Sequence, residues 1–189
     1  MKRLLLVLLI VPGVLFAQTA PDNTLSAAEK YIKPNEVHQK LAEYEGEWDE
    51  EVVMWLTPKS QPETFNISCT NKMILGGRYL QSSQSGYMMG TMFESLSTLG
   101  YHTNNQKFTL TLINNTGTGT LTLLGFWITP FKRIELFGDI PSPANTDVIH
   151  VRQVINFIDK DNYVVQNFDQ SAEHDEYKNV EYRFKRKKP

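Results

Sequence analysis

Much of the chain alternates apolar and polar residues with a period of two. Phe108, Leu110 and Leu112 alternate with lysine and threonine residues, and Leu121 and Leu123 resume the alternation after a run of turn-forming residues. Because successive side chains of a strand point to opposite faces, this segment predicts a β-hairpin. One face of the hairpin is expected to be buried, and the other carries threonines.

The same period predicts strands over most of the remaining chain. The further candidates are residues 48–56, 64–75, 77–87, 89–100, 132–140, 148–158, 162–170 and 178–186. The connections between them are short, so neighbouring strands are expected to be antiparallel. An open sheet of about ten strands would leave exposed edges. We therefore predict an all-β fold, a closed antiparallel β-barrel of about ten strands with a short N-terminal helix. A sandwich is the alternative, but it needs longer crossings between its sheets.

The N-terminus is typical of a secretory signal peptide. Lys2 and Arg3 precede the apolar run Leu4–Phe16, and the small residue Ala17 follows it. The run spans about 20 Å as a helix, which is too short for a bilayer core of about 30 Å. We predict cleavage after Ala17 and a protein that is secreted or periplasmic in a bacterium. The alternatives are a buried N-terminal helix or an uncleaved membrane-bound segment.

Between this leader and the first strand, the sequence predicts short helices. Ser26 and Glu29 have the spacing of a capping box, and Pro34 ends any helix there. Asn35 can cap a second short helix that ends at Gly46. The domain organisation predicted is therefore a signal peptide at 1–17, a tether at 18–34 and a single barrel domain at 35–189.

Composition and charge exclude several classes of protein. The formal net charge is −2, so the chain lacks the basic excess that is typical of nucleic-acid binders. Cys69 is the only cysteine, which excludes an intrachain disulfide and a cysteine-based zinc cluster. Cys69 lies within a strand pattern, so we expect a buried and unreactive thiol.

The tripeptide Gly46-Glu47-Trp48, at the start of the first strand, resembles the Gly-x-Trp motif of lipocalin-like barrels. In those barrels the tryptophan closes the base, and an arginine from the last strand lies across its indole ring. The resemblance implies that Arg183 is the partner of Trp48. The alternative is a core tryptophan and an unrelated arginine in solvent.

A longer resemblance covers roughly residues 36–186. The chain is similar to a bacterial family of exported proteins, the domain of unknown function 1579. The matching residues are His38, Leu41, Gly46-Glu47-Trp48, Gly76-Gly77-Arg78-Tyr79-Leu80, Gly90, Phe93, Leu99-Gly100-Tyr101, Asn114 to Gly119 and Tyr182-Arg183. The resemblance implies a lipocalin-like or fatty-acid-binding-protein-like barrel and no established activity. The chain departs from the family at His102, where an aspartate is usual. It also departs near Leu112 and Asn114, where a tryptophan and an aspartate are usual.

Methionines, aromatic residues and two arginines are the candidates for binding a ligand inside such a barrel. Methionine adapts to varied apolar shapes, and an inward arginine needs a partner such as a ligand carboxylate. The predicted ligand-binding residues are Trp55, Arg78, Tyr87, Met92, Phe93, Trp127 and Arg152. The alternatives are core packing for the apolar residues, and glutamate partners or solvent for the arginines.

The sequence contains no recognisable catalytic motif, so no catalytic residue, cofactor or metal is predicted. The function predicted is binding of a small apolar or amphipathic molecule by an exported barrel, acting as a monomer or homodimer. A structural or protein-interaction module with a filled interior is the alternative. An enzyme that uses His102 or His150 beside a carboxylate, or a haem-binding barrel with His150 as axial ligand, is a further alternative.

Overall fold

The computed structural model describes residues 26–143 and 146–188 of the chain. The predicted signal peptide at 1–17, and the tether as far as residue 25, lie outside the described residues. Two short helices come first, α1 (Ala27–Ile32) and α2 (Glu36–Ala42). The strands follow in chain order: β1 (Gly46–Met54), β2 (Glu63–Ile74), β3 (Tyr79–Met88), β4 (Thr91–His102), β5 (Lys107–Asn114), β6 (Leu121–Thr129), β7 (Arg133–Pro141), β8 (Val148–Asp159), β9 (Asn162–Ser171) and β10 (His174–Arg186).

The strands form a closed barrel in which each strand pairs with the next one in the chain. All the pairings are antiparallel, and β10 pairs with β1 to close the sheet, for example at Val52 opposite Tyr182. The predicted all-β closed barrel is therefore confirmed. Because every connection is short, the topology is set by consecutive hairpins.

Strand alternation decides which residues enter the barrel. Phe108 and Leu110 of β5 are buried in the interior, whereas Thr109 and Thr111 lie on the outer face, as the sequence predicted. The predicted strand at 89–100 begins later than expected, because Met89 and Gly90 form the turn between β3 and β4. Both residues have positive φ, 52° and 78°, as a two-residue hairpin turn requires.

The N-termini of both helices are capped as predicted. Ser26 and Glu29 form a capping box on α1, and Asn35 caps α2 through the backbone N–H of Val37. Helix α2 ends at Ala42, earlier than predicted, and Gly46 already belongs to β1.

No helix among residues 26–143 and 146–188 is both long and apolar enough to cross a bilayer.

Helix α2 covers one end of the barrel, which we call the closed end. Its buried residues Val37 and Leu41, together with Tyr44, join the main hydrophobic core with Trp48 and Phe157. A second, smaller apolar cluster lies towards the opposite end, which we call the far end. It consists of Val52, Ile67, Met88 and Val180, with Met54, Phe65, Phe93 and Tyr182 packed against it.

Candidate functional site

The barrel interior contains a cavity of about 80 Å³. Its walls are mostly apolar, and they include Leu99, Leu110, Ile155 and Val165. Polar side chains from four strands also line the cavity, and we call this set the polar belt. Its members are Ser82 and Gln84 of β3, Ser97 of β4, Gln153 of β8 and Asn167 of β9.

The polar belt faces inward because its members share the strand faces of core residues. Ser82 and Gln84 alternate with outward residues on the same strand as the buried Leu80. Within the belt, the Gln153 Nε2 donates a hydrogen bond to the Asn167 Oδ1 at 2.8 Å. The hydroxyl of Ser95, a neighbour on β4, donates a short hydrogen bond to the Gln84 Oε1.

Glu50 is a buried acid in contact with the polar belt. It lies two residues after Trp48 on β1 and is only 1% exposed. The Gln84 Nε2 donates a hydrogen bond to its Oε1 at 2.6 Å, but its Oε2 is buried and has no hydrogen-bond partner. Burial raises the pKa of Glu50 to about 8, partly opposed by the hydrogen bond from Gln84.

A second polar chain lies next to Glu50. The Cys69 thiol donates a hydrogen bond to the Asn71 Oδ1 at 3.3 Å, and the Asn71 Nδ2 donates to the Tyr163 hydroxyl at 3.0 Å. Burial, and then the nearby Glu50, raise the pKa of the Cys69 thiol. A thiol in this state is a poor nucleophile, and the thiol is buried as the sequence predicted.

Asp169 is a second inward-facing acid, on the strand face of Asn167 and closer to the far end. It accepts a hydrogen bond from the Asn179 Nδ2 at 2.5 Å, and burial raises its pKa. Tyr182 lines the cavity near both acids. Burial raises the pKa of Tyr182 first, and the charges of Glu50 and Asp169 raise it further.

The closed end is sealed by Trp48 and an arginine, as the Gly-x-Trp motif implies, but the arginine is Arg186. Its guanidinium carbon lies 4.2 Å from the centre of the fully buried Trp48 ring. It also donates hydrogen bonds to the backbone carbonyls of Glu43, Glu45 and Lys160, at 2.6, 2.5 and 2.8 Å. Arg186 thus joins three segments across the base of the barrel.

The pairing of Trp48 with Arg183 was therefore wrong. Arg183 lies on the outer face of β10, where it forms ion pairs with Glu51 and Glu181 at 2.6 and 2.7 Å. The physical reason is strand alternation: positions 182, 184 and 186 face inward, so position 183 faces outward. Gly46 has a φ of +118°, and a Cβ there would lie 3.1 Å from the Arg186 Nη1.

None of the seven residues predicted to bind a ligand lines the cavity of about 80 Å³. Two of them do face inward: Phe93 packs against the far-end cluster, and Trp127 packs on Phe108 in the main core. Tyr87 and Met92 are exposed, 72% and 45%, next to the turn between β3 and β4. Trp55 follows β1, where the ammonium of Lys178 lies 4.7 Å from its ring centre.

Arg152 lies on the outer surface, so the inward orientation expected for it was wrong. Its neighbours Val151 and Gln153 face the interior, and alternation turns Arg152 outward. Its guanidinium forms ion pairs with Glu135 and Glu176 at 2.8 and 2.7 Å. Arg152 therefore has carboxylate partners within the protein, which was the alternative considered.

Arg78 lies in the turn before β3, outside the barrel. It donates hydrogen bonds to the carbonyl oxygens of Leu75, Gly76 and Ile32, and so fixes the end of α1 on the closed end. Arg78 and His102 both line a surface cleft of about 480 Å³ beneath α1. The cleft is separate from the interior cavity.

The histidines proposed for catalysis or haem binding do not enter the barrel. His150 is on the outer face of β8, where its Nδ1 lies 2.7 Å from the Asp139 Oδ1, and both side chains are more than half exposed. It therefore cannot be an axial ligand inside the barrel. His102 packs against Tyr31 at the surface. Residues 26–143 and 146–188 contain no group of three or more potential metal-binding side chains.

Sequence reasoning missed the polar residues of the interior, among them Glu50, Gln84, Gln153 and Asn167. The sequence does contain a signal for Glu50, because it lies at position i+2 between Trp48 and Val52, on the same face of β1 as these two apolar residues. A charged residue between two apolar residues of the same strand face is expected only where a buried acid has a role or a partner.

The comparisons with known proteins agree with this barrel. The model of a family described as "Protein of unknown function (DUF1579)" matches residues 33–186. Among solved structures, one similar chain is the crystal structure of Rv2717c from M. tuberculosis. It is 15% identical, has a TM-score of 0.61, and the match covers 82% of this chain and 100% of that chain. At this identity the likeness shows the fold alone. No curated protein matches the chain.

Proposed function

The chain belongs to the DUF1579 family, and we propose that its closed barrel binds a small, largely apolar molecule in the interior cavity. The proposal concerns binding and includes no catalytic step. It is supported by the apolar walls of the cavity and by the polar belt, which offers hydrogen bonds at a few fixed points. This combination is typical of small-molecule sites.

The observation that carries the proposal is the polar belt beside an unfilled space. Burying polar groups costs free energy, and a barrel that served only as a scaffold would be more stable with an apolar interior. Here Gln84, Gln153 and Asn167 face a hollow. A guest molecule that fills the hollow and bonds to the amide atoms that Gln153 and Asn167 do not use in their mutual hydrogen bond accounts for both features.

The size of the cavity limits the guest. A volume of about 80 Å³ is roughly half of the engineered cavity of about 150 Å³ that binds benzene. Drug-sized ligands occupy pockets of about 300–1,000 Å³. The guest is therefore a molecule of a few non-hydrogen atoms, unless the methionines and phenylalanines of the far-end cluster move aside.

A matched pair of variants tests the proposal. Ser82 lines the cavity, whereas Ser83, the next residue on β3, is exposed on the outer face. Ser82→Leu should fill the hollow, and Ser83→Leu should leave it open. Wild type and both variants are screened by thermal unfolding and native mass spectrometry against small neutral, cationic and anionic molecules.

We expect at least one of these molecules to stabilise wild type and Ser83→Leu but not Ser82→Leu. A ligand at a hundred times its Kd adds about 2.7 kcal/mol of stability. If no molecule stabilises wild type, or if Ser82→Leu responds as wild type does, the proposal fails. The alternative of a structural module with a filled interior predicts that negative result.

We also propose that the protein is exported. The support is the basic start, the apolar run and Ala17 in the sequence. Expression of the full chain in a bacterial host should give an extracytoplasmic protein whose mass corresponds to a chain that begins at Gln18. An uncleaved chain found only in the cytoplasm would contradict this proposal.

A further inference from the structure

Two acidic side chains face the barrel interior. Glu50 and Asp169 occupy inward positions on β1 and β9. Among the strand residues that the structure describes, Arg186 is the only lysine or arginine at an inward position. It lies at the closed end, over Trp48 and bonded to backbone carbonyls. In the described strands the interior thus has two acids and, beside the cavity, no lysine or arginine, while the imidazole of His174 lies near Asp169 towards the far end.

The carboxyl of Glu50 is left with an unmet hydrogen bond. Its Oε1 accepts from Gln84, but its Oε2 is buried without a hydrogen-bond partner. A buried polar atom without a partner costs about 1–3 kcal/mol, and more when the group is charged. Glu50 does not itself line the hollow, but Gln84 connects this carboxyl to it, because Gln84 donates a hydrogen bond to Glu50 and lines the hollow.

From this geometry we infer that the guest is a small amine with an apolar carbon skeleton, whose protonated nitrogen is recognised by Glu50. The inference rests on the proposed function and names its ligand class. An ammonium group has three donors and no acceptor. It can supply both the hydrogen bond that Oε2 lacks and the positive charge that the interior lacks. The leucines, isoleucine and valine of the cavity walls suit the carbon skeleton.

The second acid supports a cation rather than a neutral donor. Asp169 lies towards the far end, and Tyr182 lies close enough to both acids for their charges to raise its pKa. When they are ionised, the two acids place negative potential on the cavity and on its far-end side. An anionic guest such as a carboxylate would be repelled by both of them.

Binding of an amine requires a proton to leave Glu50. Burial keeps this carboxyl protonated at neutral pH, because its pKa is about 8. The groups around it are Cys69 on β2, Gln84 on β3, Tyr163 on β9 and Tyr182 on β10, and none of them is a base. The ammonium form therefore binds as the Glu50 proton passes to solvent. Affinity should rise up to tenfold per pH unit towards pH 8.

The test compares three molecules of the same chain length by isothermal titration calorimetry. The molecules are 1-butylamine, 1-butanol and butyrate, measured at pH 6, 7 and 8. We expect 1-butylamine to bind at least tenfold more tightly than 1-butanol at pH 8, and butyrate not to bind. Glu50→Gln should remove the preference for the amine. Glu51→Gln is the matched control, because Glu51 is the adjacent outward residue.

If Glu50→Gln fails to fold, measurements on wild-type protein alone still test whether Glu50 binds the amine. Titration with 1-butylamine at pH 7 in buffers of different ionisation enthalpy should show release of about one proton per guest bound. Tight binding of the amine without proton release would overturn the role of Glu50. Equal or tighter binding of 1-butanol or butyrate would overturn the inference and leave the proposed function standing. Binding of none of the three, together with a failed Ser82→Leu screen, would overturn both.

Discussion

The buried carboxyl of Glu50 makes a strong prediction about stability and pH. Glu50→Gln keeps the size and the amide contact with Gln84 but removes the titrating group. In the unfolded chain the glutamate has an ordinary pKa of 4.5, and in the folded barrel burial raises this pKa to about 8. The folded state therefore binds the proton more tightly than the unfolded state.

The sign and the size of the effect follow from this difference. Because the folded pKa of an acid is raised, stability is highest below pH 4.5 and falls as the pH rises through 8. At 1.36 kcal/mol per pKa unit, Glu50 alone should lower the free energy of unfolding by about 4 kcal/mol between pH 5 and pH 9. Glu50→Gln should lack this decline and should be the more stable protein at pH 9.

The assay is urea unfolding, followed by tryptophan fluorescence, at each pH unit from 5 to 9. Glu51→Gln is measured beside Glu50→Gln, since Glu51 is exposed and paired with Arg183. Wild type and Glu50→Gln share every titrating group except Glu50, so their difference reports Glu50, and Glu51→Gln shows the effect of removing an exposed carboxyl. The free energies of unfolding of wild type and Glu50→Gln are compared across the pH range. If their difference changes by less than about 1 kcal/mol between pH 5 and pH 9, the pKa of Glu50 is not raised by burial as described.

Three further predictions concern the closed end and the lone thiol. Trp48→Ala should cost about 3–5 kcal/mol in chemical denaturation, because the fully buried indole packs in the main core, and a loss below about 1 kcal/mol would contradict this packing. Arg186→Ala should lower the free energy of unfolding by about 2 kcal/mol, because Arg186 packs on Trp48 and bonds three backbone carbonyls. Arg183→Ala removes only an exposed ion pair and should lower it by less than about 1 kcal/mol. A larger loss for Arg183→Ala than for Arg186→Ala would identify Arg183 as the residue that closes the barrel. Cys69 should react with a thiol reagent at pH 8 only as fast as the barrel unfolds, and rapid modification of the folded protein would contradict its burial.

Much of the fold could be predicted from the sequence because local pattern determines it. The alternation of Phe108 and Leu110 with threonines gives β5, and the short connections give antiparallel pairing. The turn at Met89 and Gly90 was missed, since methionine is not a typical turn residue and adopts a positive φ here only in the context of the hairpin.

The interior site could not be predicted in the same way, because a shift of one residue in register exchanges the two faces of a strand. The sequence alone suggests Arg152 and Arg183 as interior residues, but their neighbours Gln153 and Phe184 face inward instead. For Arg183 the sequence does contain a signal, since Tyr182 and Phe184 are the apolar members of the alternation. Gln153 and Asn167 meet only because β8 pairs with β9 in one register.

A crystal structure of the protein soaked in 1-butylamine at pH 8 would examine the occupied barrel directly. We expect one molecule in the cavity between Gln84, Gln153 and Asn167, with its nitrogen about 3 Å from a Glu50 oxygen. An interior that contains only water or repacked protein side chains at saturating amine would contradict the binding of an amine by this barrel, and together with a small-molecule screen in which nothing stabilises wild type it would contradict the binding of any guest.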